Sequence, residues 1–94
     1  MKTYSMVIYA PLFVDKDKAQ KVFNEICLLN PSDEEILIDL TGIESMTTIC
    51  ARIIFGEIAK MIGVQTFYKQ FKFRGLSNEV ELVIDMGITS ALES

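Results

Sequence analysis

Residues 36–62 read ILIDLTGIESMTTICARIIFGEIAKMI, and the way this stretch divides decides the fold. Its first five residues form a short, almost uniformly apolar run. Such a run is too short for an amphipathic helix and suits a buried strand flanked on both sides by other strands. A polar turn follows, and from residue 48 to residue 62 apolar side chains recur at helical spacing for about four turns. A buried strand handing the chain to a helix start is the unit on which open α/β sheets build their sites. Side chains at the strand end and free N–H groups at the helix start converge there.

Within this unit, either Thr47 or Thr48 caps the helix through its hydroxyl. Ile49, Ile53, Ile54, Ile58, Met61 and Ile62 give the helix a broad buried face, with Cys50 and Phe55 at its margins. Gly63, just past the last apolar residue, suits a left-handed position after a helix end. Asp39 is the one charge in the strand and lies near its C-terminal end. There it either accepts bonds from loop N–H groups or faces a partner.

Towards the N-terminus, residues 2–9 (KTYSMVIY) are rich in β-formers and read as a strand. Ala10-Pro11 ends it, because proline removes a donor and restricts the residue before it. Asp15 or Asp17 caps the next helix. Ala19, Val22, Phe23 and Ile26 form its apolar stripe, Lys16, Lys18 and Lys21 its wet side, and the turn residues 30–33 (NPSD) stop it. Towards the C-terminus, residues 64–74 hold Phe67, Tyr68, Phe71 and Phe73. Phe71 and Phe73 alternate with Lys72 and Arg74, the pattern of a strand with one wet face. After a turn at 75–78, Asn78 with Glu81 in a capping box, or Ser77, starts a last helix lined by Val80, Val83, Ile84 and Met86. Gly87 is expected to end that helix, leaving one further turn for residues 88–94.

The order is β-α-β-α-β-α, a single α/β domain over residues 1–94. Alternation of this kind implies parallel neighbours and right-handed crossovers. The wet face of the third strand places the helices mainly on one face of the sheet.

Composition narrows the function. Half of the 94 residues are hydrophobic, enough for a core. A net charge of −4 argues against a nucleic-acid binder, which needs a basic footprint. No apolar run approaches the roughly 18 residues of a membrane span, and the N-terminus lacks a signal peptide's basic start. The chain has no histidine, so Ser/His and Cys/His nucleophilic pairs and imidazole zinc sites drop out. Cys27 and Cys50, both placed inside helices, are expected to be separate buried thiols of a reducing cytosol. No metal or other cofactor is expected.

The run Asp39-Leu40-Thr41-Gly42-Ile43-Glu44-Ser45-Met46-Thr47-Thr48, with a later strand leading through Gly75-Leu76-Ser77 into a last helix, resembles STAS domains, the anti-sigma-factor-antagonist fold. It is most similar to the small STAS-like family of unknown function, often found beside or fused to histidine-kinase-like ATPases. The resemblance spans about residues 36–88. It puts Thr48 where regulatory STAS domains carry their phosphorylated serine. The chain departs from them at Thr47, where they have an acidic residue. It departs again at Ile49 and Cys50, in place of a hydroxyl and a small residue, and at Arg52 and Ile53, where STAS-like relatives are acidic.

The resemblance implies a cytoplasmic, non-catalytic interaction module. Its partner would be a histidine-kinase-like ATPase or a transcription regulator, docking on Asp39, Glu44, Ser45, Thr47, Thr48 and Arg52. Phosphorylation of Thr48 would switch the contact. Two alternatives belong to other classes. One is a small enzyme or metal-binding protein using Asp39 with Thr48 or Cys50. The other is a structural subunit of a homo-oligomer held by spare apolar surface.

Overall fold

The computed structural model describes residues 1–93. In chain order the elements are β1 (Lys2–Ser5), a 3₁₀ turn (Val7–Tyr9), β2 (Leu12–Phe13), α1 (Lys16–Cys27), β3 (Ile36–Asp39) and β4 (Ser45–Met46). There follow α2 (Thr48–Ala51), a π-helical turn (Arg52–Gly56), α3 (Glu57–Ile62), α4 (Val64–Gln70), β5 (Phe71–Arg74) and α5 (Asn78–Glu93). Because α2, the π turn and α3 are continuous, the described residues form four helical runs, besides the 3₁₀ turn, beside parallel strands.

The main sheet has the order β1-β3-β5 with both pairings parallel, so 36–39 is the central strand the sequence suggests. Its register sorts side chains by period two. Tyr4, Ile38 and Phe73 share a row, as do Ser5, Asp39 and Arg74. Ile36 and Ile38 are fully buried beneath the helices, while Leu37 and Asp39 are half-buried on the other face. Thr3, Ser5, Lys72 and Arg74 are exposed there, so the helices do lie on one face of a parallel sheet and leave the other open.

The first strand is shorter than the residues 2–9 expected. The Met6 amide donates to the Asp39 carbonyl at 2.9 Å, and β3 ends at that residue, so pairing stops there. Tyr9 and Ala10 then fold back on the carbonyls of Met6 and Val7. After the cis Ala10-Pro11 peptide, the two-residue strands β2 and β4 pair in parallel as a second, minimal sheet. Residues 64–70, left without an element by the sequence, form α4, which begins as the Phe67 amide donates to the Gly63 carbonyl at 2.9 Å. Gly63 lies past the end of α3 with φ +92°.

The caps resolve the alternatives the sequence left open. Asp15 caps α1, accepting the Asp17 and Lys18 amides at 2.8 and 3.3 Å. Ser77 caps α5, its Oγ accepting the Val80 amide at 3.1 Å.

Two expectations about helices fail. The side chains turned inward over 48–62 are those of Cys50, Ala51, Ile54, Phe55, Ile58 and Ala59, with Gly56 also buried, whereas Ile49 and Met61 are 56% and 63% exposed. Ile53 and Ile62 are half-buried. The π turn is the cause: the Glu57 amide reaches the Arg52 carbonyl five residues back, which under-winds the helix and rotates its buried face. The second failure is at Gly87, which does not end the last helix. α5 runs through it to Glu93, because the missing side chain serves contact with another helix rather than a stop. Met86, assigned to the core, is exposed.

Neither cysteine is in a disulfide. Cys50 is buried, but Cys27 is only half-buried. Burial raises both thiol pKa values; at Cys50 it outweighs a hydrogen bond with Thr47 that acts downward, and the charge of Asp15 adds to the rise. A thiol reagent should therefore label Cys27 slowly in native protein and reach Cys50 only on unfolding. Fast native labelling of Cys50 would contradict this packing.

Candidate functional site

The site is assembled by hydrogen bonds between two loops. The Pro11 carbonyl accepts the Glu44 amide at 2.8 Å and the Ser45 amide at 3.3 Å. The Phe13 carbonyl accepts the Thr47 amide at 3.1 Å. Leu12 is registered with Ser45 and Phe13 with Met46. Phe13 and Met46 point into the core, so period two leaves Leu12 and Ser45 outward. Thr47 is the helix cap: its Oγ1 accepts the Cys50 amide at 3.2 Å. Replacing Thr47 with Ala should cost about 1 kcal/mol in urea titrations. Thr48→Ala, which removes no cap, should cost much less.

Thr48 is half-buried and its hydroxyl makes no hydrogen bond among the described residues. Ile49, Leu12 and Val14 around the same junction are more than half exposed. Leu12 and Val14 also line a groove of about 350 Å³ with Ile8, Asp15 and Lys18. Glu44 is exposed, and Ser45 and Arg52 are half-buried. The loop 44–48 and the helix start thus lie together at this junction. The apolar neighbours Leu12 and Val14 gave no signal in the sequence, because residues 12–14 follow a proline and have no periodicity, and Ile8 was read as part of the first strand.

Asp39 is not part of this group. It shares the open face of the sheet with Ser5 and Arg74, opposite the helices. Its Oδ1 accepts the Thr41 hydroxyl at 2.6 Å and the Thr41 amide at 3.0 Å, and Oδ2 lies 3.5 Å from Arg74 Nη1. The Leu40 amide donates to the Arg74 carbonyl at 2.8 Å. Gly75, at φ +69°, lies so close to Thr41 that an added Cβ would stand 2.7 Å from its backbone nitrogen. Asp39 therefore clamps the loops that leave β3 and β5, the organising role the sequence allowed it.

The Thr41 hydroxyl, and after it the Thr41 amide, hold the Asp39 carboxyl below the ordinary carboxylate range; desolvation opposes them, and Arg74 adds to the lowering. A lowered folded-state pKa means that this clamp contributes stability above the ordinary carboxylate value. That contribution is lost as pH falls through the folded-state value. Followed by NMR, the Thr41 amide should titrate with a midpoint below about 3.9. A midpoint above that value would dissolve the clamp.

Neither Thr48 nor Cys50 has a hydrogen bond to Asp39, which faces the other way, so these residues do not form a nucleophile–base pair in this structure. Among the described residues, no three cysteine or carboxylate side chains gather as metal ligands. No helix of the described residues is long and apolar enough to cross a membrane.

A family model described as the STAS-like domain of unknown function (DUF4325) matches residues 18–81, well over half of the chain. The match runs from the first turn of α1 into the first turn of α5 and includes the whole strand-to-helix unit. No curated protein and no solved structure matches the chain.

Proposed function

The chain belongs to the family of STAS-like domains of unknown function, and on that premise we propose that it is a non-catalytic, cytoplasmic interaction module that docks a protein partner at the start of helix 48–62. The partner is a histidine-kinase-like ATPase or a transcription regulator. The observation that carries this reading is the unbonded Thr48 hydroxyl set among the exposed apolar side chains of Leu12, Val14 and Ile49. Apolar side chains grouped beside polar ones on a small domain suit a protein interface. Glu44, Ser45, Thr47 and Arg52 form its polar rim, and Asp39 supports the surface only through the loop it clamps.

Thr48 is the phosphorylation switch of this surface. A phosphate there adds about −1.5 to −2 charges at pH 7. The helix start tolerates that charge, since its free N–H groups and dipole favour an anion. Arg52, one turn along, is within reach for a charge-assisted bond if its side chain turns back. The cost falls on the partner, whose apolar contacts now meet a doubly charged group.

Thr48→Glu should melt like wild type and bind the partner at least about tenfold more weakly, or 1.4 kcal/mol. Leu12→Asp should weaken binding without involving the phosphate. The partner is identified by co-purification from the native cell. Equal affinity of Thr48→Glu and wild type, with no phosphate on the native protein, would remove the switch. A self-association abolished by Leu12→Asp, with no other protein bound, would replace the partner by a second copy of the chain.

A further inference from the structure

A cavity of about 150 Å³ lies between α4, β5 and α5 and shares no residue with the proposed docking surface. Its aromatic lining is Tyr68, Phe71 and Phe73, completed by Leu76 and Ile84. Phe71 is almost wholly buried and stacked on Phe67 with ring centroids 4.6 Å apart, which fixes its position; Tyr68 is half exposed at the cavity mouth. Two carboxylates complete the lining, Glu81 and Asp85, four residues apart and so on one face of α5. No lysine or arginine lines the cavity, and among the described residues neither carboxylate has an ion-pair partner. Glu81 gains from the helix start, but Asp85 lies a turn further on, where no positive charge balances it and its neighbour repels it.

Apolar walls alone would suit any small hydrophobe, since a cavity of about this size can hold a benzene ring. Three aromatic rings beside two carboxylates with no ion-pair partner among the described residues select a charge. Ring faces attract a cation, most strongly where it is desolvated and has no N–H to lose to water. The Tyr68 hydroxyl donates to Asp85 Oδ1 at 3.0 Å, which holds that carboxylate at the mouth and turns the tyrosine's own acceptor side outward. From this arrangement we infer that the cavity is a binding site for a small organic cation with a quaternary ammonium head, its methyl groups against the rings and its charge facing Glu81 and Asp85. The site is independent of the docking surface and of Thr48.

Choline and its neutral isostere 3,3-dimethyl-1-butanol separate charge from shape. Titrated into ¹⁵N-labelled protein, choline should shift amides of residues 68–76 and 81–85 saturably. The isostere should bind at least tenfold more weakly. Asp85→Asn and Tyr68→Leu, both at exposed positions, should each weaken choline severalfold and leave the isostere unchanged. Equal binding of the two probes would reduce the site to an apolar hole. Shifts that fail to saturate, or that spread over other acidic residues of the chain, would remove it altogether.

Discussion

Gly87→Val is expected to destabilise the protein by about 3 kcal/mol or more, the upper end of what overpacking costs. A Cβ at residue 87 would stand 2.7 Å from the Arg52 nitrogen, 2.8 Å from the Ala51 carbonyl carbon and 2.9 Å from Ala51 Cβ. Two of these three are backbone atoms, which cannot swing aside as a side chain would. The contact is reciprocal: a Cβ on Gly56 would meet the Gly87 oxygen at 2.7 Å and Ala91 Cβ at 2.9 Å. Small residues from both helices let α5 press directly on the backbone of the π turn, so any branched side chain must push the helices apart. Gly87→Ala is the sharper test, because two effects oppose each other. Helix propensity alone would make it stabilising by about 1 kcal/mol. The crossing makes it destabilising, since the whole helix must move to admit one methyl. Stabilisation of Gly87→Ala in a urea titration would show the crossing to be loose.

The same glycine shows where local reading stops. A glycine after an apolar helical run is a reasonable stop signal, and at Gly63 the signal holds. At Gly87 a contact between residues more than thirty positions apart overrides it, and nothing within the helix announces that contact. The sheet was more legible, because its signals are local. The short apolar run 36–40 specifies a strand, and the alternation of Phe71 and Phe73 with Lys72 and Arg74 specifies a strand and its inward side. The strands 12–13 and 45–46 were not legible, since two residues have no period.

Helix 48–62 lies between these cases. Its isoleucines suggest a 3.6-residue stripe, but the buried side chains fall at 50, 54, 58 and at 51, 55, 59. A strict four-residue step drifts by about 40° each time on an ordinary α-helix. It stays on one face only where the helix is under-wound, so this double repeat was the available sign of the π turn. The site divided in the same way. Its helix start was legible from Thr47 and Thr48 and from the family motif. The outlook of Asp39 was not, because it depends on the register of β3 against both neighbours.

Phe55→Ala should cost about 3–5 kcal/mol, the range for deleting a buried phenylalanine. The side chain is fully buried within the π turn. It meets Phe73 edge to face with centroids 5.6 Å apart and Phe67 at 6.4 Å. Phe55 therefore joins the helix that carries the site to both β5 and α4, and each aromatic pair adds about 0.5–1.5 kcal/mol beyond the area it buries. Ile53→Ala, two residues away and half-buried, is the control and should cost clearly less. The comparison decides which face of the helix packs inward, since an unbroken 3.6-residue helix would bury Ile53 and leave Phe55 at the margin. Phe55→Leu separates packing from ring geometry: it keeps most of the apolar volume but loses both edge-to-face contacts. In a double-mutant cycle, Phe55→Leu and Phe73→Leu should couple by about 0.5–1.5 kcal/mol. A cycle that closes additively would leave Phe55 as filling alone. A larger loss from Ile53→Ala than from Phe55→Ala would restore the regular helix and remove the π turn as the element that aims the site.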